Sequence, residues 1–244
     1  MFFLENHLTP DWPAPNHVLA LVTTRLGGVS AAPYSGFNLA GHVADHPADV
    51  AENRRLLREG LRLPAEPVWL DQVHGSEVID AAVAEFRLAD ASHTGQAGVV
   101  LAVLTADCLP VLFCDSAGTR IAAAHAGWKG LLAGVLQNTA RAMGKGEIMA
   151  WLGPAIGPGA FCVGGEVREA FVQRLAGAEA AFQPHGRQWL ADLYTLARLA
   201  LLEAGVERVY GGGLCTWSDA ARFYSYRREP VTGRMASLIW RIDL

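Results

Sequence analysis

The sequence predicts an α/β fold, a mixed-sheet sandwich flanked by helices, in a single domain spanning residues 1–244. Three observations predict it. The chain is 51% apolar and only 18% charged, so it can bury one sizeable core without help from disulfides. Three apolar runs follow each other closely: "AGVVLAVLTA" (97–106), "LPVLFCD" (109–115) and "RIAAAHAG" (120–127). Their continuous apolar character implies strands covered on both faces. Helical patterns flank this block instead of alternating with its strands, which favours a mixed sheet over a regular βαβ repeat.

Each element follows in order. "HVLALVTT" (17–24) reads as a strand, and "GGVSAAPYSG" as a loop. "PADVAENRRLLREGL" (47–61) reads as a helix, with Pro47 in its first turn and Val50, Leu56 and Leu57 on one face. "PVWLDQVHG" (67–75) reads as a strand with a polar end. After the three apolar strands, "WKGLLAGVLQNTARAMG" places Leu132, Val135, Leu136, Thr139 and Met143 at helical spacing. "EIMAWLGPAIGP" is a strand ending in Gly/Pro turns. "GEVREAFVQRL" and "DLYTLARLALLEAG" are helices, the second stopped by Gly205. "RVYGGG" and "RFYSYRR" read as late strands or strand-to-loop segments.

Charge and length bound the function. A net charge of −4 without a Lys/Arg stripe argues against nucleic acid as a partner. No apolar run approaches the ~20 residues that cross a bilayer. The start, "MFFLENHLTPDWPAP", lacks a basic leader, so a cytoplasmic enzyme without a membrane partner is expected. The four cysteines (Cys108, Cys114, Cys162, Cys215) form no CxxC pair and are expected to be reduced.

Single polar groups where apolar runs end carry the chemistry. His74 follows "VWLDQV", Cys108 follows "LAVLTAD" and His125 follows "RIAAA". On neighbouring strands the three would meet at one rim of the sheet. Two imidazoles and a thiolate suit zinc, and three protein ligands leave a fourth position open, as in catalytic sites. Each residue also has an ordinary reading, since a histidine at a strand end is commonly a satisfied surface group and a cysteine in a strand a small core residue. Cys114 is assigned to the core. His42, His46, His93 and His185 are assigned to the surface. Cys162 and Cys215 flank Gly-rich turns. A metal-free alternative pairs Cys108 with His125 as thiolate and imidazole, with Asp107 nearby, in a cysteine hydrolase or transferase. Spacing does not separate the two, although the pair leaves His74 without a role.

Longer blocks carry a resemblance. "TTRLGGVS", "PYSGFNLAGHVADHPADVAENRRLL", "VWLDQVHGSEV", "LTADCLPVLFCDSAGTRIAAAHAGWKGLLAGV", "WLGPAIGPGAF" and "RFYSYRREPVTGRMASLIW" together resemble the YfiH/laccase-domain family, from about Val18 to Ile242. The resemblance implies an α/β sandwich with zinc ligands at His74, Cys108 and His125. It also implies phosphorolysis of adenosine, inosine and methylthioadenosine to free base and a sugar 1-phosphate, with adenosine deamination as a side activity. Phenol oxidation with copper is an older attribution, and peptidoglycan-precursor editing another. Nucleoside and phosphate are then the small-molecule partners, and a monomer or weak homo-oligomer is expected. The tail "YSYRREPVTGR" departs from the family's frequent form around Glu229 and Pro230.

Phosphate needs cationic partners, and arginine's planar fork matches its oxygens. Arg25, Arg54, Arg227 and Arg228 are the candidates, with Asn38 and Arg54 preferred as the substrate-binding polar wall. Asp107 is a candidate to orient a ligand histidine. Trp128 and Phe223 are candidates to stack on a purine. The rival oxidase reading expects several histidine pairs, yet eight histidines form no HxH motif, so copper is kept only as an alternative occupant. A nucleoside- or metal-binding regulatory module is the non-enzymatic alternative.

Overall fold

Two sheets face each other across an apolar layer. The computed structural model describes residues 6–243, so the part of the N-terminal reading that concerns residues 1–5 lies outside the described residues. The first sheet is antiparallel, in the order β1 (His7–Leu8), β2 (Val18–Thr23), β13 (Met235–Arg241), β5 (Val100–Thr105). The second is mixed, in the order β12 (Arg208–Gly211), β8 (Ile148–Leu152), β6 (Leu109–Asp115), β7 (Ile121–Ala126), β4 (Ala91–Thr94), β3 (Val78–Asp80). Its β12–β8 and β3–β4 pairs are parallel and the others antiparallel. A small third sheet joins β10 (Phe182–His185), β11 (Gln188–Ala191) and β9 (Cys162–Val163).

The period of two along β6 and β7 fixes the layering. Leu112, Cys114, Ile121 and Ala123 face the first sheet and pack with Val22, Leu101, Val103 and Ile239. Leu109, Val111, Phe113, Ala122 and Ala124 face the other way. There the helices α2 (Trp128–Ala133), α3 (Val135–Ala142), α4 (Gly165–Arg174) and α5 (Leu193–Glu203) cover them, through Leu131, Leu136, Phe171 and Leu196. The outer face of the first sheet is closed by α1 (Pro47–Gly60), whose Leu57 packs with Phe37, Leu39, Leu104 and Leu238. A one-residue slip of β6 would exchange its two apolar faces, and each large side chain taken out of contact would lose roughly 1.5–3 kcal/mol. This register places Pro110 opposite His125, at the end of the sheet where the site lies.

The structure corrects three elements. Residues 67–75 do not form a strand; the segment docks through single bridges at Val68 and Asp71. Gln72 substitutes its side-chain amide for backbone pairing, donating to the Leu104 carbonyl (2.8 Å) and accepting from the Leu104 N–H (2.7 Å). The helix expected from Trp128 onward is two helices, because Gly134 takes φ 92°, a left-handed turn that costs glycine little. Residues 222–228 contain no strand, with turns at 222 and 226–228. The sequence reading did not include the strands β1, β3, β4, β9, β10, β11 and β13. In β4, "ASHT" carries no apolar run, although three of its four residues are buried.

Candidate metal centre

The acid and thiol that interrupt the apolar runs sit where the chain crosses between sheets. β5 belongs to the first sheet and β6 to the second, and residues 106–108 make the crossing. Asp107 takes φ 87° there, in the left-handed region that most side chains avoid. Its carboxylate stabilises the turn: it accepts the Thr216 hydroxyl (2.6 Å) and the Arg227 backbone N–H (2.6 Å). The turn presents Cys108 at the mouth of β6.

His125 lies on β7, three per cent exposed. His74 lies on the turn after Gln72, exposed, with φ 60°. Asp90, fully buried, joins the two. One carboxylate oxygen accepts His125 Nδ1–H (2.8 Å) and the His74 backbone N–H (2.9 Å); the other accepts the N–H groups of Val73 (3.1 Å) and Gly75 (2.7 Å). Its backbone carbonyl accepts the His125 N–H (2.7 Å). Asp90 therefore holds His74 in its unusual backbone conformation and fixes the His125 tautomer so that Nε2 faces Cys108. A carboxylate behind a ligating histidine is the usual companion of a protein-bound metal.

The donor atoms of His74, Cys108 and His125 lie within 4.8 Å of one another, and Cys108 Sγ is 3.7 Å from His74 Nε2. Tetrahedral zinc bonds of about 2.0–2.3 Å put neighbouring donors roughly 3.5 Å apart, so this spacing fits a single ion with little movement. Gly127 makes the approach possible: a Cβ there would come within 2.8 Å of the His74 ring and 2.9 Å of Cys108 Sγ. In the metal-free state, burial favours the neutral Cys108 thiol, but the charge of His125 and hydrogen bonds from both imidazoles outweigh it and lower the pKa to about 6. Burial likewise opposes charge on His125, and the Cys108 thiolate and Asp90 outweigh it, raising the pKa to about 9. The cluster thus offers a ready thiolate, the form that binds metal.

A cavity of about 510 Å³ opens above the donors. Gln72, Ile156 and Phe161 form its walls, and His42, Trp128, Lys129, Tyr226, Arg227 and Arg234 its rim. His42, assigned to the surface from sequence, belongs to this rim; burial and the charges of Arg234 and Arg54 push its pKa down. Asn38 and Arg54 stand behind the wall, outside the lining. Asn38 is fully buried, and its amide is engaged by Ala40, Asp45 and the Arg234 backbone N–H. Arg54 donates to the Leu39 carbonyl (3.0 Å) and stacks on Trp69 at 4.2 Å. Arg25 approaches Glu229, and the Arg228 guanidinium caps the carbonyls of Thr216, Trp217 and Phe223, so neither reaches the cavity. Phe223 is fully buried in packing; Trp128 lines the cavity. Asp107 does not orient a histidine; that role falls to Asp90. Cys162 and Cys215 are absent from the lining, and Cys114 is in the core as expected.

Sequence reasoning missed Asp90 and Arg234. The signal for Asp90 was faint, an acid between alanines in "RLADASHT". Arg234 sat unmarked in "VTGRM".

The chain is similar to known proteins along nearly its whole length. The sequence family described as multi-copper polyphenol oxidoreductase laccase matches residues 19–242. A Pseudomonas aeruginosa protein named purine nucleoside phosphorylase is 57% identical over 240 residues, covering 97% of this chain and 98% of its own. The Escherichia coli purine nucleoside phosphorylase YfiH is 53% identical over 239 residues, covering 96% and 98%. A crystal structure of a Neisseria meningitidis protein superposes with a TM-score of 0.94 at 50% identity, covering 98% of this chain and all of its own. The Geobacillus stearothermophilus protein YlmD superposes at 0.90 with 31% identity, covering 98% and 97%.

Proposed function

The chain belongs to the family described as multi-copper polyphenol oxidoreductase laccase, and from that premise we propose that it is a zinc-dependent purine nucleoside phosphorylase. Its substrates are adenosine, inosine and methylthioadenosine, and adenosine deamination is a side reaction. What carries the reading is the pairing of relatives of that name at more than half identity with a preorganised two-histidine, one-cysteine donor set lining a cavity of about 510 Å³.

His74, Cys108 and His125 would hold the zinc, which when bound supplies Lewis acidity toward an oxygen ligand. Phe161, buried, and Tyr226, exposed at the rim, are aromatic side chains of the lining, with the Arg227 and Arg234 guanidinium groups over their rings at 5.4 and 5.8 Å. In phosphorolysis a phosphate oxygen bonds to the anomeric carbon and the bond to the base nitrogen breaks. Its electron pair leaves with the purine, which takes up a proton. The chain's contribution is to hold phosphate and sugar in line, to exclude water with Ile156, Phe161 and Trp128, and to offset the developing charge. Deamination uses water at the same donor set, so loss of Cys108 should remove both reactions together.

The test is base release. Purified protein of known zinc content is incubated with inosine or adenosine, with and without phosphate, and products are separated by chromatography. Phosphate-dependent hypoxanthine or adenine, lost in His125→Ala, is expected. Turnover that survives chelation but ends with thiol alkylation would instead support the Cys108–His125 hydrolase. Dioxygen consumption with phenols on copper loading, with no base release, would support the oxidase. Nucleoside binding without turnover would support the regulatory module.

A further inference from the structure

The cavity is electropositive in a chain whose net charge is −4. Lys129, Arg227 and Arg234 line it, against the Cys108 thiolate and the Asp107 carboxylate, whose oxygens accept the Thr216 hydroxyl and the Arg227 backbone N–H. Arg234 is the most constrained of the three. It is half-buried and forms no ion pair among the described residues. Nη1 donates to the carbonyls of Thr232 (2.8 Å) and Gly233 (3.0 Å), and its backbone N–H is held by Asn38 Oδ1 (2.9 Å). Asn38 in turn is held by Asp45 (2.8 Å). The guanidinium is thus fixed through Nη1, and it lines the cavity with its centre 5.8 Å over the Tyr226 ring. Burial disfavours its charge, the Cys108 thiolate and the Asp107 carboxylate offset part of that cost without forming an ion pair with it, and an anion in direct contact would offset the rest. Arg54 adds a second guanidinium behind the wall, with Glu66 as its nearby opposite charge, and the charges of both arginines act on His42.

We propose that Arg234 is the anchor of an oxyanion subsite at the rim of the cavity, with His42 and Arg227 beside it and Asn38 as its positioning residue, and that this subsite receives free inorganic phosphate. The inference deepens the phosphorylase reading and rests on it for the choice of phosphate. A planar fork matches two oxygens of a tetrahedral anion, which lysine does not reproduce. The subsite faces the cavity that also holds the three metal donors, so phosphate and nucleoside share one chamber. The same chemistry would also accept a phosphoryl group carried by the nucleoside, and the experiment separates the two sources.

The experiment has two parts. In the first, zinc-loaded wild-type protein is treated with phenylglyoxal with and without saturating inorganic phosphate, and the modified arginines are located by peptide mass spectrometry. Phosphate should protect Arg234 several-fold. Modification of Arg234 that is indifferent to phosphate overturns the proposal whatever the enzyme's activity. In the second, phosphate and inosine KM values are measured for Arg234→Met and Arg234→Lys, with unfolding temperatures alongside. Arg234→Met should raise the phosphate KM at least tenfold and the inosine KM less than threefold, with Arg234→Lys recovering part of the loss. Phosphorolysis with an unchanged phosphate KM in either folded variant sinks the subsite and spares the phosphorylase reading. Protection by phosphate without phosphorolysis does the reverse. Protection by a nucleoside 5′-phosphate far below the concentration needed for inorganic phosphate overturns the free-phosphate assignment.

Discussion

The two ends of strand β6 carry the same side chain in opposite environments. Cys108 stands at its mouth, half-buried, with two imidazoles in reach and its pKa lowered to about 6. Cys114 stands near its other end, fully buried between the two sheets, and burial pushes its pKa up to about 12. Leu112 and Ile121 are among its companions in that layer. Neither property belongs to cysteine as a residue type. Chemistry at Cys108 comes from what the turn at Asp107 and the clamp at Asp90 bring beside it, and inertness at Cys114 from the lack of such neighbours.

The largest effect that sharpens this contrast is expected from Cys108→Ala. Phosphorolysis and deamination should fall together by at least ~10³-fold, since a ligand and a charge are lost at once. Retention of either activity, measured by product chromatography, would break the shared-site account. Next is Asp90→Asn, which removes the fixed tautomer of His125 and weakens the hold on the 73–75 turn. Zinc affinity should drop ~10–100-fold in competition with a chelator. Stability should drop as well, by an amount approaching the ~3–5 kcal/mol of a broken buried pair. The zinc loss is the diagnostic part, because a purely structural role would lower the unfolding temperature without it.

Titration draws the contrast directly. In the metal-free protein, iodoacetamide should label Cys108 with a midpoint near its pKa of about 6 and leave Cys114 unlabelled until the chain unfolds. A lowered thiol pKa contributes stability that is present above the free value of about 8.5 and lost as pH falls through about 6. A raised imidazole pKa contributes stability that is present below about 6.5 and lost as pH rises through about 9. The metal-free unfolding temperature should therefore peak between those limits, and the Cys108→Ala profile should be flatter. Gly127→Ala should weaken zinc through its contacts with His74 and Cys108 and cost about 1–3 kcal/mol of stability from overpacking. The smallest effect is expected from Cys114→Ala, a loss of about 1 kcal/mol seen in thermal unfolding, with zinc content and base release unchanged.

What the sequence revealed follows the same division. Cys108 and His125 were legible because each breaks an apolar run, and strands covered on both faces make such breaks conspicuous. His74 was found for the wrong local reason: its segment docks by the Gln72 side chain instead of pairing as a strand. Asp90 was hidden because β4 buries Ser92 and Thr94, so the acid before it marks no apolar boundary. The rim was least legible. Tyr226 and Arg234 lie in the irregular tail and His42 in a loop far from them in sequence, and the packing of that tail against the loop at Asn38 brings them to one opening. Asn38 and Arg54 were sought at the wall because they are polar; the structure sets them behind it, where Asn38 positions Arg234.

X-ray absorption at the zinc K-edge, on protein as purified, tests the central claim most directly. The account predicts one zinc per chain with a single sulfur near ~2.3 Å and two imidazole nitrogens near ~2.0 Å, the sulfur lost in Cys108→Ala and kept in Cys114→Ala. A zinc shell without sulfur, or one unchanged in Cys108→Ala, would contradict it.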